Sequence, residues 1–185
     1  MTAYLEQVEQ QIAELRQQVE ALDKRTPSNK LSMVVFSGDL DKVLASFVIA
    51  TGAAAMGLDV VMFFTFWATP VLRDKNKQEG RKDMMGTMFG KMLPKGVNAV
   101  KLSKMNMGGM GTAMMKSLMK KKNVASLDQM IDLARELDIQ IYICEMSMDL
   151  MGFKREEMID YQNLSYCGVA KFLEDAMDSR IQLFI

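Results

Sequence analysis

The chain has 185 residues, 49% hydrophobic and 25% charged, with 23 basic and 23 acidic side chains and no histidine. Zero formal net charge leaves no electrostatic footprint for nucleic acid and no global attraction to anionic membranes, while the missing imidazole excludes Ser-His-Asp and Cys-His pairs, histidine proton shuttles and His-ligated zinc. Two cysteines are too few for a disulfide scaffold and the polar opening segment is no signal peptide, so a reducing, cytoplasmic setting is expected.

Along the chain, Leu5, Val8, Ile12, Leu15, Val19 and Leu22 alternate spacings of three and four. That is a heptad seam within a helix over residues 1–25. Three heptads are marginal alone, so the helix reads as an assembly element of a homo-oligomer, or else as one folded back on its own domain. Residues 26–30 read as a linker, with Thr26-Pro27-Ser28-Asn29 ending the helix. Residues 31–185 read as one α/β domain. Leu31 to Phe36 is an apolar, β-rich run without helical period, the mark of a buried parallel strand. Ser37-Gly38-Asp39 supplies a turn and an N-cap for a helix from Leu40 to Met56 that ends near Gly57. Asp59 to Phe66 is a second buried strand. The stretch from Val43 to Leu72 carries only one charge, Asp59, but Gly57-Leu58-Asp59 splits it into halves shorter than the roughly 18 apolar residues of a membrane span. A buried helix and a buried strand are expected, without a membrane contact.

From Trp67 to Lys122 the pattern loosens into a methionine-rich insertion. Met84, Met85, Met88 and Met92 share one face of a helix that stops before Pro94. Met105, Met107 and Met110 lie in a glycine-rich loop that opens the next helix. Methionine is flexible and polarizable, so an adaptable apolar surface is expected, over the carboxyl edge of the sheet. Lys120, Lys121 and Lys122 suit the negative end of a helix and read as a solvated terminus. Ser126 caps a helix to about Leu137, with Asp128 in its first turn. Ile139 to Ile143 is a third strand, a short helix follows from Met148, another runs from Gly168 to about Asp178, and Ile181 to Ile185 reads as a last strand. Alternating strands and helices predict an α/β fold, a mainly parallel sheet with helices on both faces.

Cys144 falls at the carboxyl end of the third strand. Ser147 is placed to cap a helix Met148 to Met151, closed by Gly152. A thiol at a helix N-terminus meets unpaired N–H groups that favour thiolate. Glu145 beside it opposes this unless strand alternation turns it away. The plainer reading of Cys144 is a small buried hydrophobe. Cys167, before Gly168, is a candidate second thiol, and spacing alone does not say whether the two α-carbons approach closely enough to bridge. The loop Gly108, Gly109, Met110, Gly111 could cradle an anion, and so, more weakly, could Ser37 and Gly38 at the "SGDLDK" turn. Neither loop matches a P-loop or a dinucleotide fingerprint. A soft-metal site for Cu(I) built from methionine and cysteine is conceivable, but methionines spread over helix faces usually pack cores. No metal and no cofactor is expected.

The strings "FSGDLDKVLASFVIATGAAAMGLDVVMFFTFWA", "KMNMGGMGTAMMKSLM" and above all "CEMSMDLMG" followed by "GVAKFLEDA" resemble the DsrE/DsrF-like family, over residues 30–185. The branch is often labelled peroxiredoxin-like, yet the chain has no Pro-x-x-x-Thr/Ser-x-x-Cys motif. The resemblance implies a three-layer α/β/α fold, oligomerisation and a part in sulfur trafficking. In that role the motif cysteine, matching Cys144, carries sulfane sulfur as a persulfide between rhodanese-like and TusA-like partners. The heptad helix lies outside the resemblance. Three functions are therefore expected to compete. One is a sulfurtransferase-type carrier using Cys144, whose thiol exchange needs an accessible thiolate and a way to stabilise the charge on sulfur, not a general base. Another is a non-catalytic oligomeric module binding through the methionine surface. The third is a redox protein cycling a Cys144–Cys167 disulfide.

Overall fold

The computed structural model describes residues 2–23, 27–77 and 84–185. Thr26 of the expected turn, and the side chains of Leu5 and Met85, lie outside this description. The heptad segment is helix α1, Thr2–Asp23. Its seam faces outward: Ile12 is 44%, Leu15 59% and Val19 64% exposed. Of the two readings of this helix, the exposure favours an element that does not bury its stripe in its own domain.

Strands β1 (Ser28–Val35), β2 (Asp59–Phe64), β3 (Gln140–Cys144), β4 (Leu164–Cys167) and β5 (Ser179–Phe184) form one sheet in the order β4-β3-β2-β1-β5. Every pairing is parallel. β1 starts at Ser28, inside the residues that read as linker, and the Ser28 hydroxyl and N–H both donate to the Asp178 carbonyl. Helix α2 (Leu40–Ala55) joins β1 to β2, and α5 (Leu127–Glu136) leads into β3. The connections from β1 to β4 therefore step steadily outward. Helix α7 (Val169–Met177) must then carry the chain back across the sheet to β5, beyond β1. Parallel crossovers are right-handed, so this reversal of direction puts α7 on the opposite face. The result is the expected three-layer arrangement, with unequal layers.

Most of the core lies on the α2 and α5 side, where Leu31, Met33, Val35, Phe47, Val60, Met62, Phe64, Ile139, Ile141 and Ile143 are buried together. The second face holds a smaller cluster: Val61, Phe63, Tyr142, Cys144, Phe172 and Ala176, with the Phe63 and Phe172 rings 5.2 Å apart. The apolar stretch resolves into α2 and β2, and no described helix is long and apolar enough to cross a membrane.

The insertion opens with a 3-10 segment, Phe66–Leu72, and continues through α3 (Met84–Met92) and α4 (Met110–Lys121). It is tied to the domain by a fully buried ion pair. Arg73 donates to Glu157 at 3.1 Å and to the Gly90 carbonyl at 3.2 Å, and lies over the Phe153 ring. At its other end the Leu40 N–H donates to the Lys101 carbonyl, and Ser103 donates from both N–H and hydroxyl to Asp41. The insertion thus rests on the start of α2 and on the segment after β3, both at the carboxyl edge. Met84, Met88, Met92, Met105, Met107, Met110, Met114 and Met115 are exposed. The methionines form surface here, not core.

Candidate functional site

The carboxyl ends of β3 and β4 carry the two thiols. Cys144 is the last residue of β3 and also the N-cap of α6 (Glu145–Met151). The helix starts three residues earlier than the sequence suggests. Ser147 is consequently not its cap but an interior residue, fully buried. Its hydroxyl shares a hydrogen bond with the Thr65 hydroxyl at 2.9 Å and accepts the Phe66 N–H at 3.0 Å. The misreading has a physical source: a serine before an apolar run looks like a cap, and only the tertiary contact with the end of β2 shows its other use. Gly152 closes α6 in the left-handed conformation, φ 66, as expected.

β4 itself has no strong signature in the sequence. "LSYC" is a four-residue, half-buried strand. Cys167 ends it, and α7 begins after Gly168 as N-cap. In the β3–β4 ladder Cys144 and Cys167 are direct register partners. Side chains of parallel register partners project to the same face, and both thiols sit with the second-face cluster of Phe63, Tyr142 and Phe172. Both cysteines are free. Cys144 is 4% exposed, whereas Cys167 is half-buried, and the space beside Gly168 is open.

The surroundings set the electrostatics. Burial first, then the nearby ionisable groups Cys144 and Glu145, pushes the Cys167 thiol up to about 11. Glu145 does not point away along a strand. It occupies the first turn of α6 and pairs with Arg155, whose guanidinium lies 4.7 Å over the Tyr166 ring. On the cluster's flank, the Tyr142 hydroxyl donates to Asp175 at 3.0 Å, and Lys30 reaches the same carboxylate at 3.1 Å. Burial and the Asp175 carboxylate push the Tyr142 phenol up to about 12. This group was not read from the sequence, because its members lie far apart in the chain and meet only when α7 crosses the sheet.

The glycine candidates have local reasons. A side chain at Gly38 would collide with the Trp67 carbonyl, and one at Gly111 with the Met105 carbonyl. Gly108 and Gly109 adopt φ 69 and φ 103, which glycine tolerates. The loop's bonds run to its own neighbours: the Thr112 hydroxyl accepts the Leu102 N–H and donates to Asn106. Ser37 donates to Asp39 at 2.8 Å. Beside this turn, Phe36, Phe66 and Phe184 make a row of rings with centroids 5.3 and 5.8 Å apart. Among the described residues no group of three or more acidic or cysteine side chains could hold a metal ion.

An open parallel sheet whose carboxyl edge holds two register-paired thiols, in a chain without histidine, defines a small α/β protein whose distinctive functional groups are its cysteines. The chain belongs to the DsrE/DsrF/DrsH-like family, whose match spans residues 27–184. It is 42% identical over 158 residues to the uncharacterized protein YrkE of Bacillus subtilis, covering 85% of this chain and 98% of that protein. It is 36% identical over 160 residues to the sulfur carrier protein DsrE2 of Allochromatium vinosum, covering 84% of this chain and 98% of that protein. The crystal structure of the ychN protein from E. coli aligns at a TM-score of 0.48 and 10% identity, over 84% of this chain and 98% of that one. The family and the sulfur-carrier relative support sulfur relay as the general role.

Proposed function

We propose that the protein carries sulfane sulfur as a persulfide on Cys144. The observation that carries this reading is the pairing of the thiols: Cys144 ends β3 with a second thiol in register beside it. A cysteine serving only as a small core hydrophobe accounts for burial, but gives no reason for a second thiol at the same level of the next strand. In the proposed reaction the Cys144 thiolate attacks a donor persulfide, takes the outer sulfur as Cys144–S–SH, and passes it to an acceptor thiol. No general base is required, which suits a chain with no histidine. Burial of Cys144 shields the bound persulfide from oxidants, since over-oxidation of sulfur follows exposure. Rhodanese-like donors and TusA-like acceptors fit the chemistry. The exposed methionines give such partners an adaptable apolar surface. The setting we infer is a reducing, cytoplasmic one, with self-association through α1.

The test is intact mass after incubation with polysulfide, beside a Cys144→Ala variant. A gain of one sulfur atom, reversed by reductant and absent in the variant, is the expected result. Adduct formation at Cys167 alone, or none on a demonstrably free Cys144, refutes the assignment.

A further inference from the structure

We propose that Cys167 is the discharging thiol of the site: it attacks the inner sulfur of persulfidated Cys144, forms a Cys144–Cys167 disulfide and expels the carried sulfur as hydrosulfide. This rests on Cys144 being the persulfide carrier.

The geometry meets the requirement for such a step. Neighbouring parallel strands lie about 4.8 Å apart, and register partners therefore bring their α-carbons within the roughly 4.4–6.8 Å span of protein disulfides. Cys144 and Cys167 are such partners, with both side chains on the α7 face. A bridge then needs no change of strand register. The neighbour is positioned for the inner sulfur, because that is the atom a side chain fixed at bridging distance meets. The outer sulfur extends one bond further, towards whatever acceptor approaches.

The step balances without another oxidant. Cys144–S–SH and the Cys167 thiolate give Cys144–S–S–Cys167 and HS⁻. The sulfur–sulfur bond of the persulfide breaks, and a new one forms between the two side chains. The sulfane sulfur is reduced to sulfide as the cysteine sulfurs are oxidised, and the proton of Cys167 goes to solvent. A dithiol reductant then resets the pair.

The position of Cys167 also makes the step slow at rest. Its thiol, pushed up to about 11 by burial first and by the Glu145 carboxylate, remains protonated near neutrality. Attack needs the thiolate. Only the small thiolate fraction of Cys167 is competent near neutrality, so the discharge is slow there.

The experiment uses the full chain loaded with polysulfide and desalted, with intact mass, peptide mapping and free sulfide followed between about pH 7 and pH 10. The wild type is expected to lose its sulfur, gain the Cys144–Cys167 bridge and release one equivalent of sulfide, over hours rather than at once near neutrality, as only the thiolate of Cys167 attacks. Cys167→Ser and Cys167→Ala keep the persulfide over the same interval. Equal discharge in wild type and variants overturns the proposal. A second arm treats the reduced, unloaded protein with the thiol oxidant diamide and looks for the same bridged peptide. If sulfur loads on Cys144 but no bridge forms by either route, the discharge step falls and the carrier reading stands. If diamide forms the bridge but polysulfide leaves no sulfur on Cys144, the carrier reading falls and takes the discharge step with it.

Discussion

Replacing Ser147 by alanine tests how the carboxyl edge is held. Were Ser147 a surface N-cap, the loss would cost about 1 kcal/mol and would be independent of β2. In the structure Ser147 is fully buried, shares a hydrogen bond with Thr65 and accepts the Phe66 N–H. Each bond contributes about 1 kcal/mol net, and the part-buried Phe66 N–H left without its acceptor adds about 1 kcal/mol of desolvation. Phe66 also holds φ 44, a conformation unfavourable for a ring-bearing residue, and Ser147 pins its backbone. The expected loss is about 3 kcal/mol, or more than about 1 M in urea midpoint for an m-value of about 2 kcal/mol/M. Trp67, the single tryptophan, adjoins Phe66 and reports the transition by fluorescence. Thr65→Val removes one of the same bonds, so the double variant is expected to fall short of additivity by about 1 kcal/mol. A loss for Ser147→Ala near 1 kcal/mol that adds fully to Thr65→Val would refute the reasoning and restore the capping role.

Glu157→Gln removes the carboxylate charge that faces the buried Arg73 guanidinium and is expected to cost about 3–5 kcal/mol in urea unfolding, against a fraction of that for the exposed Asp132→Asn. Asp175 feels burial, which raises its pKa, but the bonds from Lys30 and Tyr142 outweigh it and hold the carboxyl below the usual range. Its contribution is thus present above about pH 4 and lost as pH falls through the lowered native value, so the midpoint gap between wild type and Asp175→Asn should close only below about pH 4; a gap that ignores pH contradicts this. Gly168, N-cap of α7 with extended backbone and open space around it, accepts serine without strain. Gly168→Ser should add a few tenths of a kcal/mol and slow labelling of the cysteines by up to about twofold; unchanged labelling in a stabilised variant would mean access does not use the first turn of α7. Ile12→Asp and Val19→Asp on the exposed α1 stripe are expected to lower the mass measured by light scattering, and an unchanged mass would remove that helix from assembly.

The sequence made the two-sided burial of β1, β2 and β3 legible, because strands covered on both faces read as unbroken apolar runs. Ser126 likewise announced α5, and its capping box with Gln129 is present in the structure. What stayed hidden depends on contacts distant in the chain. Ser147 resembles a cap until Thr65 is brought beside it. β4 has too few residues for a period to show, and it is recognisable only by its place next to β3. The position of Cys144 at a strand end could be read, but not its register with Cys167, since that is set by the length of the α6 connection and by where β4 enters the sheet. The aromatic row is similar: Phe36 follows β1, Phe66 opens the 3-10 segment and Phe184 ends β5, and the three meet only in the folded sheet.

The same topology explains why the thiols lie where a two-cysteine reaction could be controlled. Because the chain moves outward from β1 to β4 on one face, its last two crossover strands finish side by side, and each ends in cysteine. Because α7 must return across the other face, that face receives one helix where the opposite face receives several elements. The layer over Cys144 is accordingly thin, built from Phe172 and Ala176 of α7. Helix ends open at lower cost than helix centres, and α7 begins without a side-chain cap, two residues beyond Cys167. Cys167, the last residue of β4, therefore adjoins the loose end of the helix that covers Cys144. Opening of that first turn changes the surroundings of both thiols at once, whereas the larger core around α2 and α5 need not move. A persulfide held on Cys144 would be protected by a stable sheet and reached through a weak helix end, a division that follows from the strand order alone.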